Sequence, residues 1–231
     1  MSSPMKLLLL GKGKTGALVA EIAQERGHTI RALDSKENPE GRGLTAESLK
    51  EVGAVIDFTV PEAVLANISA CARHGARMVI GTTGWYSEIP YVRKLVEENG
   101  TGLVYGSNFS VGVNVFFEIA RAAALSMTQG YTAKIVERHH QHKKDAPSGT
   151  ALSIQQVMKQ TSGLEPEITS IREGETVGTH VILLDSANDT MMLVHDAKSR
   201  RGFAEGAVRA AEWIADKNGF YDFREIFHQL K

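Results

Sequence analysis

The chain has few cysteines, little net charge and no long apolar run, features on which several classes of protein depend. Among 231 residues there is one cysteine, Cys71, so an internal disulfide is impossible and no pair of cysteines with zinc-ligand spacing exists. The formal net charge is −1, which gives no electrostatic reason to expect binding to nucleic acid or to a membrane surface. The apolar run that follows Met1 to Pro4 is too short for the core of a signal peptide, and no apolar run approaches membrane-spanning length. We therefore expect a soluble, cytoplasmic protein.

A glycine-rich turn near the front of the chain lies between a strand and a helix. Lys6 to Leu10 is typical of a buried strand, and the apolar residues from Ala17 to Ala23 have helical spacing. A second strand, Thr29 to Leu33, ends at Asp34, where a carboxylate can bind the ribose hydroxyls of a dinucleotide. A glycine-rich turn used only for packing is the alternative. The predicted cofactor residues of this region are Gly11, Lys12, Gly13, Lys14, Thr15, Gly16 and Asp34.

The rhythm of strand and helix continues through the first half of the chain. Strands are predicted at 54–59, 77–80 and 103–105, with helices at 61–74 and 88–98. Parallel strands place their carboxyl ends at one edge of a sheet, so the loops G-T-T-G and G-S-N-F are expected to open onto the nicotinamide side of the cofactor site. Each loop taken singly could equally be an ordinary connection. Their predicted cofactor residues are Gly81, Thr82, Thr83, Gly106, Ser107, Asn108 and Phe109.

The pattern changes after Asn108. A long apolar helix at 111–127 is followed by a strand at 131–136, a further helix, and strands at 167–172, 180–184 and 191–195. Strands in succession with few helices favour a mixed or antiparallel sheet. The fold class predicted is α/β, with a Rossmann-type parallel-sheet domain and a second α+β domain with a mixed sheet. A helix at 203–216 is expected to return to the first domain, which gives domain bounds of 1–108 with 203–231, and 109–202.

The most informative stretch is E-R-H-H-Q-H-K-K-D-A-P-S-G-T, from Glu137 to Thr150. His139 and His140 end a strand, so their side chains point to opposite sides and cannot share one task. Histidine titrates near neutral pH, and a neighbouring lysine can hold a carboxylate or help to move a proton. The composition favours a proton-transfer site. A metal site and a solvated charged loop without chemistry are the other interpretations.

The end of the same stretch predicts an anion site. Pro147 fits the opening of a helix, which places Ser148, Gly149 and Thr150 in its first turn. Unpaired backbone N–H groups and the helix dipole favour a carboxylate or a phosphate there. Gly149 would allow the anion to approach the backbone closely.

Four segments together resemble the dihydrodipicolinate reductase family. They are the stretch from Glu137 to Thr150, G-T-T-G-W, S-N-F-S-V-G-V-N, and the run from His195 to Ala207, and the resemblance covers nearly the whole chain in order. It implies NAD(P)H-dependent reduction of 4-hydroxytetrahydrodipicolinate to tetrahydrodipicolinate in bacterial diaminopimelate and lysine synthesis. It also implies NADH or NADPH as cofactor, and a homotetramer built through the sheet of the second domain.

The resemblance implies roles for individual residues. His139 would donate or accept a proton with Lys143 as its catalytic partner, while His140, Gly149 and Thr150 would bind substrate carboxylate. The chain departs from the family in its short segment at 35–53 and in Arg138, which stands where a small, apolar or acidic residue is usual. A nucleotide-sensing protein without enzymatic activity and a metal-dependent hydrolase remain as alternative functions.

Overall fold

The computed structural model describes residues 3–231, which divide into two compact units. The described residues up to Val111 form one unit together with Arg201–Lys231, and Gly112–Arg200 form the other. The strands are β1 (Lys6–Leu10), β2 (Thr29–Leu33), β3 (Val52–Asp57), β4 (Met78–Ile80), β5 (Gly102–Tyr105), β6 (Thr132–His139), β7 (Glu167–Arg172), β8 (Thr179–Asp185), β9 (Thr190–Asp196) and β10 (Gly219–Asp222). The α-helices are α1 (Lys14–Glu25), α2 (Pro61–Arg73), α3 (Ile89–Glu98), α4 (Val111–Ala124), α5 (Gly149–Ser162), α6 (Arg201–Ile214) and α7 (Phe223–Ile226).

The first unit is built on a six-stranded parallel sheet in the order β10-β5-β4-β3-β1-β2. Successive side chains of β1 point to opposite faces, and both faces are covered. Leu7 and Leu9 pack in one core with α1 and α6, while Leu8 and Leu10 pack in a second core with α2 and α3. Burial on both faces explains why this strand is an uninterrupted apolar run instead of an alternating one.

The second unit is built on a four-stranded mixed sheet in the order β7-β6-β8-β9. The pair β6 and β7 is parallel, and the other two pairs are antiparallel. One face of the sheet packs against α4 and α5, through Ile135 and Ile182 from the strands and Phe116, Phe117 and Ile154 from the helices. The fold class predicted from the sequence, a Rossmann-type parallel-sheet unit and a second α+β unit with a mixed sheet, is confirmed.

The structure differs from the sequence prediction in several elements. The helix after Pro147 begins at Gly149, because Ser148 is its N-cap and accepts a hydrogen bond from the backbone N–H of Ala151. Strand β10 was not predicted, and it pairs with β5 at the edge of the parallel sheet. Within the described chain, Val111–Gln129 is long and apolar enough to cross a membrane by length and composition alone, which the sequence reading did not anticipate. One face of this segment is packed in the core of the second unit.

Candidate active site

The glycine-rich turn after β1 has a backbone that only glycine can supply. Gly11 has φ +94°, and a Cβ there would lie 2.3 Å from the backbone oxygen of Phe58. A Cβ on Gly16 would lie 2.2 Å from the backbone oxygen of Gly11, so the turn and the first turn of α1 touch. Gly13 is the N-cap of α1, and nothing lies within 4 Å of where its Cβ would be. The turn therefore presents a helix N-terminus to open space, as pyrophosphate binding requires.

A cavity of about 330 Å³ lies at this N-terminus. It is lined by Gly13, Lys14, Thr15, Gly16, Phe58, Thr59, Val60, Pro61, Gly81, Thr82 and Thr83. Two of the predicted cofactor segments, the glycine-rich turn and G-T-T-G, thus share one cavity in the first unit. A Cβ on Gly81 would lie 2.2 Å from the Phe58 ring, so glycine is needed at the cavity wall. The cavity therefore combines glycine walls with a helix N-terminus, the two features that pyrophosphate binding uses.

Asp34 follows β2 directly and is already held by its neighbours. Its Oδ1 accepts the backbone N–H groups of Lys36 and Glu37, at 2.9 and 3.1 Å, and Lys12 Nζ lies 3.6 Å from Oδ2. The backbone N–H groups of Glu37 and Lys36 lower the pKa of Asp34, and Lys12 adds to this. Glu37 itself takes a closer bond from Lys12, at 2.6 Å. The sequence reading missed Glu37, which adds a second negative charge beside the predicted ribose site.

A buried carboxylate that the sequence reading also missed organises the far side of the cavity. Asp57, the last residue of β3, is fully buried. Its Oδ1 accepts bonds from the backbone and hydroxyl of Thr59, at 2.9 and 2.6 Å, and from the Thr82 hydroxyl at 3.0 Å. Asn67 of α2 donates to Oδ2 at 2.8 Å. Asp57 thereby fixes the loop after β3 against G-T-T-G, and its position at a strand end was the available signal.

The G-S-N-F loop after β5 contributes in two different ways. Gly106 is buried, and a Cβ there would lie 2.9 Å from Cβ of Phe223. Phe109 is also buried, with its ring centroid 4.6 Å from that of Phe223. Its ring is core, so only its backbone could serve a ligand. Ser107 is exposed, and the Asn108 side chain accepts the backbone N–H of Ser110 at 2.9 Å.

In the second unit, the side chain of His139 lies against a buried carboxylate. Glu137 and His139 are two residues apart on β6, so their side chains share one face of the sheet. Nδ1 of His139 makes a short contact with Oε2 of Glu137. Arg172, paired with His139 across β6 and β7, donates to both carboxylate oxygens, at 3.0 and 2.7 Å. The Ser148 backbone N–H also donates to Oε1, at 3.3 Å.

The charges of this cluster follow from its contacts. Burial raises the pKa of Glu137, but hydrogen bonds from Arg172, Ser170 and His139 outweigh it and bring this pKa to about 2. Burial lowers the pKa of His139, the carboxylate of Glu137 raises it, and the positive charges of Lys143 and Arg172 lower it, with a net decrease. Glu137 is therefore ionised, and His139 gives up a proton more readily than an ordinary histidine.

The other ring nitrogen of His139 faces a glycine. A Cβ on Gly178 would lie 2.8 Å from Nε2 of His139. The ring of His180 lies beside it, 5.3 Å away between centroids, and Nε2 of His180 contacts the Ser148 hydroxyl at 3.2 Å. Burial, followed by the charge of His139, lowers the pKa of His180 to about 4, so His180 is neutral near pH 7. The sequence reading did not single out Gly178 or His180.

The three histidines of the predicted site, His139, His140 and His142, have different neighbours. His139 lies against Glu137, while Nε2 of His140 lies 3.4 Å from the guanidinium of Arg200. His142 is exposed, with its ring 6.3 Å from that of His140. In the described residues, no group of three or more His, Cys, Asp or Glu side chains could hold a metal ion. Arg138, the departure from the family pattern, is exposed and paired with Glu173 at 3.0 Å.

Lys143 and the start of α5 complete the set of residues predicted from the sequence. Lys143 is partly buried, and its Nζ donates to Asp145 at 2.8 Å. Gly149 is exposed, with nothing within 4 Å of where a Cβ would be, and Thr150 is partly buried beside it in the first turn of α5. Ser148 is 2% exposed, and its hydroxyl and backbone N–H are both bonded within the unit.

Comparisons with known proteins point to the same family along nearly the whole chain. Residues 5–109 match the family model described as dihydrodipicolinate reductase, N-terminus, and residues 112–227 match the C-terminus model. The 4-hydroxy-tetrahydrodipicolinate reductase of Christiangramia forsetii is 38% identical, over 98% of this chain and 99% of that protein. The enzyme of the same name from Neisseria meningitidis is 37% identical, over 97% of each chain.

A solved structure supports the fold. The dihydrodipicolinate reductase of Paenisporosarcina sp. TG-14, determined with dipicolinate bound, superposes with a TM-score of 0.78 at 22% identity, covering 96% of this chain and 99% of that one. The predicted family and the prediction of an oxidoreductase that uses a pyridine nucleotide are confirmed. With both family models matched in order and relatives aligned over almost its full length, the chain belongs to the dihydrodipicolinate reductase family.

Proposed function

We propose that His139 and Lys143 carry out the proton chemistry of this chain, within the NAD(P)H-dependent reduction of 4-hydroxy-tetrahydrodipicolinate to tetrahydrodipicolinate in lysine and diaminopimelate synthesis. The reaction follows from the family. The observation that carries the residue assignment is the arrangement around His139, where one ring nitrogen is held by Glu137 and the other faces a position without a side chain.

The first unit is proposed to bind the cofactor. Its pyrophosphate would lie at the N-terminus of α1, against the residues Gly11, Lys12, Gly13, Lys14, Thr15 and Gly16. Asp34 would accept the ribose hydroxyls, while Gly81 to Thr83 and Gly106 to Phe109 would lie along the rest of the dinucleotide. When bound there, the nicotinamide supplies the hydride.

Both NADH and NADPH are proposed to serve, with NADH at least as good. The carboxylate of Asp34 favours a free ribose diol and repels a 2′-phosphate. Lys12 could offset that repulsion, but it is already engaged by Glu37 at 2.6 Å. Lys14 and Lys36 remain near the site as exposed cations. The carboxylate of Asp34 beside the ribose therefore favours the unphosphorylated cofactor, while the nearby lysines keep the phosphorylated one usable.

The second unit is proposed to bind the substrate and donate the proton. The substrate is a cyclic dicarboxylate with a conjugated C=N bond, so hydride addition leaves an enamine-like anion that must take a proton at carbon. His139 in its charged form donates that proton from Nε2. Lys143 stabilises the negative charge beside it and keeps the ring acidic, since its own charge lowers the pKa of His139.

The two carboxylates of the substrate need two anion-binding sites, and the second unit offers candidates for both. The first turn of α5, where Gly149 and Thr150 lie, provides the positive end of the helix dipole for one carboxylate. His140 and Lys143 provide the second set of donors, with Arg200 close to His140. Ser148 belongs to this proposal only as the N-cap that fixes the start of the helix, because its own polar groups are occupied.

The assembly proposed is a cytoplasmic homotetramer formed through the sheet of the second unit. The outer face of that sheet is apolar along neighbouring strands, where Val136 pairs with Val181, and Val181 with Val194. Met192 and Val194 are 64% and 54% exposed, which is costly for a chain that stays single in water.

The proposed function is tested by following NADH absorbance with freshly made pathway substrate. We expect NADH consumption that depends on substrate and on protein, and that falls when His139 is replaced by Gln. Consumption of NADH by the wild type with no loss in the variant would remove His139 from the proton-transfer role while leaving the reaction in place.

A further inference from the structure

We propose that Glu137, held in turn by Arg172, is a positioning residue that fixes the ring of His139 so that Nε2 is the nitrogen that donates the proton. The inference rests on the proposed role of His139. Glu137 does not itself touch substrate in this account, since it is fully buried beneath the ring.

Glu137 is fixed from several directions. Arg172 on the neighbouring strand β7 bonds both of its oxygens, at 3.0 and 2.7 Å, and the Ser148 N–H bonds one of them. A two-pronged bond of this kind fixes the plane of a carboxylate as well as its charge. A fully buried carboxylate without partners would be costly, so Arg172 is what allows a charge to lie under His139.

The ring can then present only one nitrogen. Nδ1 lies against Oε2 of Glu137, which cannot donate when ionised, so Nδ1 keeps its proton. Nε2 points to the position where Gly178 has no side chain. In the charged ring the Nε2–H bond breaks as the C–H bond of the product forms, and the ring becomes neutral with Nδ1–H still bonded to Glu137. No further proton carrier is needed within this step.

The charged and titratable groups that face His139 set the direction of the pH effect. They are Glu137 on β6, Arg172 on β7, His180 on β8 and Lys143 in the loop after β6. Among these only Glu137 raises the pKa of His139, while Lys143 and Arg172 lower it. Removing the charge of Glu137 therefore lowers this pKa further, and the loss of activity with rising pH moves to lower pH.

Glu137→Gln tests the proposal, because Gln keeps the shape and loses the charge. NMR of labelled histidine, with the His139 signal assigned from His139→Gln, should show the His139 titration midpoint lower by about one unit or more. We expect kcat to fall roughly tenfold or more, with KM and NADH affinity within a few-fold, since binding groups are untouched. Glu137→Asp, which keeps the charge, should restore the midpoint in part. The matched control is Glu173→Gln, which removes an exposed carboxylate at the end of β7 and should leave both values unchanged.

A second measurement needs no variant of Glu137. In the wild type at high pH, the ¹⁵N shifts of neutral His139 should identify the Nδ1–H form. The Nε2–H form, or an unchanged midpoint and kcat in folded Glu137→Gln, would overturn the proposal. The NMR results do not depend on turnover. Full activity in His139→Gln would rule out the proton-transfer role of His139 but would leave the NMR result for Glu137 unaffected. A failure of the proposed function can therefore be distinguished from a failure of the positioning role of Glu137.

Discussion

At the level of single residues, both candidate sites contain carboxylates that are held by neighbouring residues. Asp34 follows β2, Asp57 ends β3, and Glu137 lies near the end of β6. Each accepts hydrogen bonds from at least two other residues. Asp34 is the exposed member, so it can exchange its contacts for those of a ribose. The other two are buried and serve to fix a loop and a ring.

Asp34→Asn should shift cofactor choice toward NADPH. Asn keeps the Oδ1 acceptor for the N–H groups of Lys36 and Glu37, so the turn should persist while one negative charge is lost. A charge about 4 Å away in water is worth about 1 kcal/mol, so the ratio of kcat/KM for NADPH to that for NADH should rise about fivefold. The control is Glu98→Gln, an exposed acid of α3. A strict NADPH requirement in the wild type at low salt would contradict the assignment of Asp34.

His180 should make the second unit sensitive to acid. Its pKa is about 4 in the folded chain against an ordinary 6.5, so the unfolded chain binds the proton more readily. The contribution of neutral His180 to the free energy of unfolding is therefore fully present above about pH 6.5. It is lost as the pH falls toward 4, by on the order of 3 kcal/mol. Urea unfolding at a series of pH values should show this slope, and His180→Gln should reduce it. The pKa of His139 is also lowered, mainly by burial, so His139 contributes to the slope with the same sign. An identical slope in the wild type and in His180→Gln would rule out His180 as a source of the pH dependence.

At the scale of elements, the patterned segments could be predicted and the contacts between them could not. The buried run Lys6 to Leu10 predicts β1 with its observed bounds, because both faces of the sheet require apolar side chains, whereas the strand predicted at 54–59 lies at Val52–Asp57. The prediction from Pro147 placed the start of α5 too early, because Ser148 is the N-cap and the helix begins at Gly149. Glu137 was overlooked although E-x-H on a strand puts both side chains on one face. Arg172 could not be found at all, because only the register of β6 and β7 brings it there.

The N-terminus of α5 gives a prediction of its own. Nothing lies within 4 Å of a Cβ on Gly149, so Gly149→Val should fold normally yet crowd an approaching carboxylate. Substrate KM should rise roughly tenfold or more, the cost of lost bonds to a charged group, while NADH affinity stays almost unchanged. Lys159→Ala in the last turn of the same helix is the control. Equal losses of cofactor and substrate affinity in Gly149→Val would contradict the division of binding between the two units.

At the scale of the whole molecule, the exposed face of the mixed sheet should determine assembly. Met192 and Val194 lie on the outer side of the edge strand β9, beside Leu183 and Val181 of β8. Met192→Asp would place a charge in the proposed apolar interface, so sedimentation should show a tetramer for the wild type and smaller species for the variant at micromolar concentration. Leu125→Asp, at a similarly exposed site after α4, is the control. A monomeric wild type would show that no such interface forms. An intact tetramer in Met192→Asp together with dissociation of Leu125→Asp would place the interface elsewhere.

The proton-transfer role of His139 is tested most directly by comparing two histidines three residues apart. His139 is buried against Glu137, while His142 is exposed in the same segment. In one NADH-consumption assay, His139→Gln should lose kcat by roughly 10²- to 10⁴-fold with substrate and cofactor binding preserved. Lys143→Ala should lose as much or more, because it also removes a charge near the substrate carboxylates, and the two losses should not multiply in the double variant. His142→Ala should stay within a few-fold of the wild type. Full activity in His139→Gln, or an equal loss of kcat in His142→Ala, would show that the proton transfer does not depend on His139 in the way proposed.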